Sequence, residues 1–284
     1  MTTTLDRERI ASLSRNIPAL PEIALKVLDL SHDEDANLHL LSDHARNDPV
    51  IAAMLLGLAN TPQVNPSGRP VRELYHAISM IGLSRVRQVV VSVSLRGAFG
   101  GLLPERAYAA YWNHCIDVAS GAQVLAGHMG LPAEQAHFCG LVHDVGKLWL
   151  AHNFPDAFAE ATARWQENPE ISEVRAEIDA FGMDHATVGA LLGELWSLPE
   201  PIRLALRDHH GGGPDAMSDD PLVVLTHFAE VTTQALQGDR HPLHAVSPLI
   251  DSVLRPDWEH LPQLFGEMEA LARLNRALVR APGA

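Results

Sequence analysis

The stretch Val86-Arg87-Gln88-Val89-Val90-Val91-Ser92-Val93-Ser94-Leu95 decides the fold class. Its run of β-branched residues has strand propensity and, taken alone, reads as a strand. A strand needs partners to be stable, and no other segment of the chain offers one. The stretch is therefore expected to be a buried helix, and the chain all-α.

Helical spacing holds on both sides of it. Ile23, Val27, Leu28 and Leu30 follow Pro21, which suits a first helical turn. Asp48-Pro49 forms an N-cap and N1 pair for a helix through Ile51, Met54, Leu55 and Leu58, closed by Asn60-Thr61-Pro62. Leu74, Ala77, Ile78 and Ile81 mark another helix, and Ser84, just after Gly82, is placed to cap the Val86–Leu95 segment. Gly97 to Pro104 is the expected internal boundary. Beyond it, helices are predicted over residues 105–128, 133–144, 156–165, 173–180, 185–196 and 200–209. Gly211-Gly212-Gly213-Pro214 interrupts them, and helices resume over 222–236 and 261–279. The last carries a stripe of Leu264, Phe265, Met268, Leu271, Leu274 and Leu278.

Composition narrows the function classes. With 284 residues, 46% of them hydrophobic, the chain can bury the core of one large domain or of two closely packed subdomains. Lys and Arg number 21 against 35 Asp and Glu, a net charge of −14, so non-specific nucleic-acid binding is not expected. Arg85, Arg87 and Arg96 are close in sequence, but at helical spacing they need not share a face. Cys115 and Cys139 sit in apolar segments without metal or redox spacing, which suits a reducing interior. The N-terminus has no apolar signal region and no apolar run reaches bilayer length, so no membrane association and a cytoplasmic location are expected.

Sixteen histidines are many for this length, and several, including His32, His39, His44, His152 and His241, lie in polar text. Others stand in apolar text beside carboxylates. Cys139-Gly140-Leu141-Val142-His143-Asp144-Val145-Gly146-Lys147 puts His143, Asp144 and Lys147 near one helix end. His114 lies in an earlier apolar helix, His209-His210 end another helix, and Glu230 falls in a later one. Asp184-His185 opens a helix, where the positive dipole end is expected to keep the ring neutral. Histidines and carboxylates from separate helices are how a bundle builds a metal site in its core. Such a site would hold divalent metal (Fe, Mn or Zn), with Asp144 bridging and Lys147 offsetting phosphate charge. Taken singly, each histidine is more readily a partner for a carbonyl or a neighbouring acid than a metal ligand.

Several ordered blocks together resemble an HDOD domain, a signalling relative of the HD and HD-GYP phosphohydrolases. They are Ile17-Pro18-Ala19-Leu20-Pro21, Asp48-Pro49 with Leu55-Leu56-Gly57-Leu58-Ala59-Asn60, Ala77-Ile78-Ser79-Met80-Ile81-Gly82, and Trp112-x-His114. Gly140 to Gly146, Phe181 to Ala190, Trp196-Ser197-Leu198-Pro199 and His209-His210 continue them. The resemblance covers residues 14–212. It implies an all-α, two-lobed helical bundle, with an N-terminal HDOD-specific lobe over 14–100 packed on an HD-like lobe over 104–212. Residues 213–284 are expected to extend the HD-like lobe.

By position, His114, His143, Asp144, His185, His209 and His210 resemble the metal ligands of active HD-GYP enzymes, and Lys147 their following lysine. Two departures stand out. The Glu-Arg and Gly-Tyr-Pro text of those enzymes is absent after His210, and Glu230 stands where they carry an aspartate. The resemblance thus implies a regulatory, non-catalytic module with a vestigial metal site, acting through a signalling protein partner, its input supplied by another protein or a ligand. The alternative is a metal-dependent phosphohydrolase acting on a nucleotide or cyclic dinucleotide, with Asp144 and Lys147 catalytic.

Overall fold

The computed structural model describes residues 4–16, 20–29, 41, 43–168, 170–210, 219–236 and 260–279. Ile17-Pro18-Ala19, Gly211 to Pro214, and His32, His39 and His241 lie outside the described residues. Helices form the regular structure, and there is no strand among the described residues. The chain divides into two compact units. One comprises Met1–Pro18 with Gly100–Glu269, the other Ala19–Phe99 with Ala270–Ala284. The grouping does not follow chain order, because the unit built on residues 100–269 takes in the N-terminal segment and the unit built on residues 19–99 takes in the C-terminal one.

The second unit contains α2 (Glu22–Asp29), α3 (Pro49–Ala59), α4 (Leu74–Ile81) and α5 (Leu83–Ala98). Asp48 caps α3, its Oδ1 accepting the Ile51 N–H at 3.2 Å. Asn60 fastens the following loop. Its amide donates to the carbonyls of Leu56 and Val71 at 2.8 and 2.9 Å and accepts the Val71 N–H at 2.8 Å. Ala59, Val71 and Ala77 form a small cluster beneath it.

The β-branched stretch is helical, as expected. Within α5, Val86, Val89, Val90, Val91 and Leu95 are all buried, and α5 packs on α2, α3 and α4. Packing on several sides outweighs the modest propensity cost of valine in a helix. The expected cap at Ser84 is not formed. Gly82 itself begins α5, with φ of 85° and no side-chain hydrogen bond. Only glycine adopts that dihedral without strain, and it lets α4 and α5 meet at 110°.

The first unit contains α1 (Arg7–Leu13), α6 (Glu105–Met129), α7 (Ala133–Val142), α8 (Val145–Asn153), α9 (Pro155–Glu167) and α10 (Glu173–Phe181). It continues through α11 (His185–Leu195), α12 (Glu200–Asp208) and α13 (Pro221–Leu236). The division between units falls within α14 (Leu261–Val279). The central α6 packs on α7 and α13 through a buried run of small residues, Val118 to Ala122. Gly140 makes the close approach of α7 possible, since a Cβ there would lie 2.5 Å from the Ala119 Cα. Phe138, Trp149, Phe181 and Phe228 fill the surrounding core. Among the described residues no single helix is long and apolar enough to cross a membrane.

Candidate metal centre

His143 and Asp144 do not share a helix. α7 ends at Val142, His143 is its C-cap, and Asp144, with φ −95° and ψ 13°, starts α8. The chain turns at the pair because Gly146 packs against α11, where an added Cβ would run into the His185 carbonyl oxygen. The turn aims both side chains into the interior, at 0% and 1% exposure. Lys147 follows on α8, its N–H donating to the Asp144 carbonyl at 2.9 Å.

Three buried imidazoles are held alike. His143 Nδ1 donates to the Gly140 carbonyl at 2.8 Å, and His209 Nδ1 to the Leu206 carbonyl at 2.9 Å. His185 Nδ1 donates to Glu177 Oε2 at 2.6 Å, and the same oxygen accepts the His185 main-chain N–H at 2.8 Å. With Nδ1 protonated, each ring turns Nε2 inward. These atoms lie 3.4, 3.3 and 3.6 Å from Asp144 oxygens for His143, His185 and His209 respectively. His143 Nε2, His209 Nε2 and Asp144 Oδ1 are buried without a hydrogen-bond partner.

The remaining groups close the cluster. His210 Nε2 is 2.6 Å from His185 Nε2, and its Nδ1 is 3.9 Å from Glu230 Oε2. Glu230, on α13, is buried and accepts from Gln234 at 3.0 Å. Two overlapping sets of ligand atoms result, each within 4.8 Å of one another: Asp144, His185, His209 and His210, and His143, Asp144, His209 and Glu230. Asp144 and His209 belong to both. His114 belongs to neither set and stands at the edge, Nε2 3.5 Å from Asp144 Oδ2.

The charges are strongly coupled. Burial pushes the Asp144 carboxyl up, but His143 and Lys147 outweigh it and hold the pKa well below the usual carboxylate range. Burial lowers the His185 pKa, and Glu177 more than reverses this, raising it to about 10. The neutral ring expected from its place at a helix start is thus not found, because a carboxylate at 2.6 Å outweighs a helix dipole. His143 is raised as well, Asp144 overcoming the effect of burial. Burial lowers His114 to about 4 and, with His209 and His185 beside it, takes His210 well below its ordinary value.

The HDOD domain model matches residues 17–211 of the chain. The chain belongs to the HDOD family. Its fold is similar to that of an HDOD domain protein from Geobacter sulfurreducens, with a TM-score of 0.75, 23% identity, and 96% of this chain and 98% of that one covered. A structure from Marinobacter aquaeolei, provisionally named as a signal transduction protein, gives a TM-score of 0.71 at 23% identity, over 98% of this chain and 62% of that one. A Treponema pallidum protein is 26% identical over 242 residues, 84% of this chain and 46% of that one. The HDOD chain thus spans less than half the length of that relative.

Two residues of this HDOD protein that matter at the site lay outside the sequence expectations. Glu177 orients His185, and Glu173 meets Lys147 at 3.0 Å, matching the 3.0 Å from Lys147 to Asp144. They are one turn apart on α10 and face the centre together. The i, i+4 spacing was readable, but nothing in the text of an ordinary amphipathic helix tied it to a histidine eight residues later.

Proposed function

We propose that this HDOD protein is a signal-transduction module that carries a divalent-metal centre and passes its signal to a protein partner without turning over a substrate. One observation carries the metal reading. His143, His185 and His209 each fix Nδ1 on an oxygen acceptor and present Nε2 toward one buried carboxylate, the arrangement that orients imidazole for a metal. Two overlapping sets, Asp144, His185, His209 and His210, and His143, Asp144, His209 and Glu230, would each offer four ligands to an ion, and their nitrogen and oxygen donors suit Fe, Mn or Zn.

The non-catalytic part of the reading rests on Lys147. Its ammonium lies 3.0 Å from both Asp144 and Glu173, so the charge that would meet a phosphate is already engaged. The missing Glu-Arg and Gly-Tyr-Pro text after His210 points the same way.

A second reading, a metal-dependent phosphohydrolase, is favoured by one feature. His114, Lys147 and His210 keep 22%, 16% and 25% of their side chains exposed, which leaves an accessible edge beside a buried cluster. A bound divalent ion supplies a Lewis acid and an acidified water there. In that case Lys147 would orient and neutralise a phosphate, and His114 would stand beside the entering group.

The separating experiment assays metal-reconstituted protein, wild type and Asp144→Ala, with a model phosphodiester and with cyclic dinucleotides. The signalling reading expects stoichiometric metal in the wild type, loss of metal in the variant, and no turnover by either. Turnover that disappears with Asp144→Ala establishes the second reading instead.

A further inference from the structure

His209 and His210 are neighbours in the chain, yet both turn toward one centre. Successive residues of a helix point about 100° apart, so a helix continued through the pair would aim one of the two rings away. α12 ends at Asp208, and His209 caps it with φ −62° and ψ −21°. The two ring centroids are nonetheless 4.2 Å apart, and His210 Nε2 reaches to 2.6 Å from His185 Nε2. The tilt of the peptide unit that joins the pair decides where His210 points.

That peptide is gripped from another helix. The His209 carbonyl lies past the end of α12, among the acceptors that a helix terminus leaves without a main-chain donor of its own. His227 on α13 supplies the donor, its Nδ1–H meeting this oxygen at 2.6 Å. A carbonyl acceptor requires the proton on Nδ1, which fixes the tautomer. Glu230, three residues on and on the same face of α13, stands 3.9 Å through its Oε2 from His210 Nδ1. One helix thus addresses both the main chain and the ring of His210.

The need for this grip falls on His210 in particular. His143, His185 and His209 are each tied through Nδ1 to an oxygen acceptor. No such tie is found for His210 among the described residues, and its two nitrogens face His185 and Glu230, groups of the centre itself. Its direction is set by its main chain. His227 belongs to neither set of ligand atoms.

We propose that His227 is a positioning residue of the metal centre, which directs His210 by holding the carbonyl of the peptide before it. The proposal rests on the metal reading above and adds to it a residue that acts without touching the ion.

The test titrates the full chain with Co²⁺, whose visible absorption reports the number and geometry of its ligands. His227→Phe keeps a ring and removes the donor, whereas His227→Asn keeps an N–H donor in the place of Nδ1. His227→Phe is expected to bind Co²⁺ about tenfold or more weakly than the wild type, with the spectrum of His210→Ala. Adding His210→Ala to it should cost little further, because both changes remove the same ligand. His227→Asn should restore the affinity and spectrum of the wild type. His227→Ala takes the place of His227→Phe if the latter loses its helical circular dichroism, and the rescue by His227→Asn is required in either case. Wild-type affinity and spectrum in a folded variant without the donor, additive losses in the double variant, or a folded His227→Asn as weak as His227→Phe would each overturn the proposal while Co²⁺ binding by the wild type sustains the metal reading. Failure of the wild type to bind Co²⁺ would overturn that reading, and this proposal with it.

Discussion

One carboxylate oxygen, Glu177 Oε2, accepts both the main-chain N–H of His185 at 2.8 Å and its Nδ1–H at 2.6 Å. A single side chain thereby sets the start of α11, the tautomer of its first residue and the direction of Nε2. Glu177→Gln keeps an acceptor of the same shape and removes the charge. Metal affinity is expected to fall by about 10–100-fold, as measured by competition with a chromophoric chelator. Wild-type affinity in this variant would show that Glu177 does not support a ligand.

Metal uptake should release protons. His185 is raised to about 10, so at neutral pH its ring holds a proton that an ion must displace, and His143 is shifted in the same direction. Apparent affinity for Zn²⁺ is accordingly expected to rise with pH between 6.5 and about 10. Titrations in buffers of different ionisation enthalpy measure the protons released, and a release of zero contradicts the account.

Gly146→Ala probes the corner that makes the site. The new Cβ would strike the His185 carbonyl oxygen, and α8 and α11 would have to separate. A loss of about 3 kcal/mol is expected in denaturant unfolding, with metal content reduced in parallel. Unchanged stability would mean that this contact does not position the pair.

His137 gives a pH dependence away from the cluster. It is buried on α7, and burial lowers its pKa to about 4. Below the ordinary value near 6.5 the unfolded chain takes up a proton that the folded chain refuses, so stability falls as pH drops from 6.5 to 4 and is level beyond. The contribution is about 3 kcal/mol over that window. His137→Gln, followed by thermal melts at about pH 4.5 and 7, should show a smaller acid loss than the wild type. An identical loss would assign the acid sensitivity to other groups.

The sequence was most legible where a residue's role depends on its neighbours in the chain. Asp48 caps α3 and Asp184 caps α11 through local hydrogen bonds that the text announces. The valine run of α5 was harder, since its local preference is for a strand and only the lack of a partner strand argued for a helix. His143, Asp144, His185, His209, His210 and Glu230 were readable as chemistry-bearing residues, and the structure brings their ligand atoms into two overlapping sets. Two things were not readable. The corner between His143 and Asp144 arises from contact between α8 and α11, and the protonation of His185 arises from Glu177 on α10. Both are set by distance in space, which helical periodicity does not encode. His114 illustrates the converse: motif position placed it with the others, while the fold leaves it at the rim.

Elemental analysis of the full chain purified without chelator tests the central claim most directly. The account predicts Fe, Mn or Zn in stoichiometric amount, lost in Asp144→Ala while the variant keeps its helical circular dichroism. Wild-type protein that carries only trace metal and takes none up from Fe²⁺, Mn²⁺ or Zn²⁺ would contradict it.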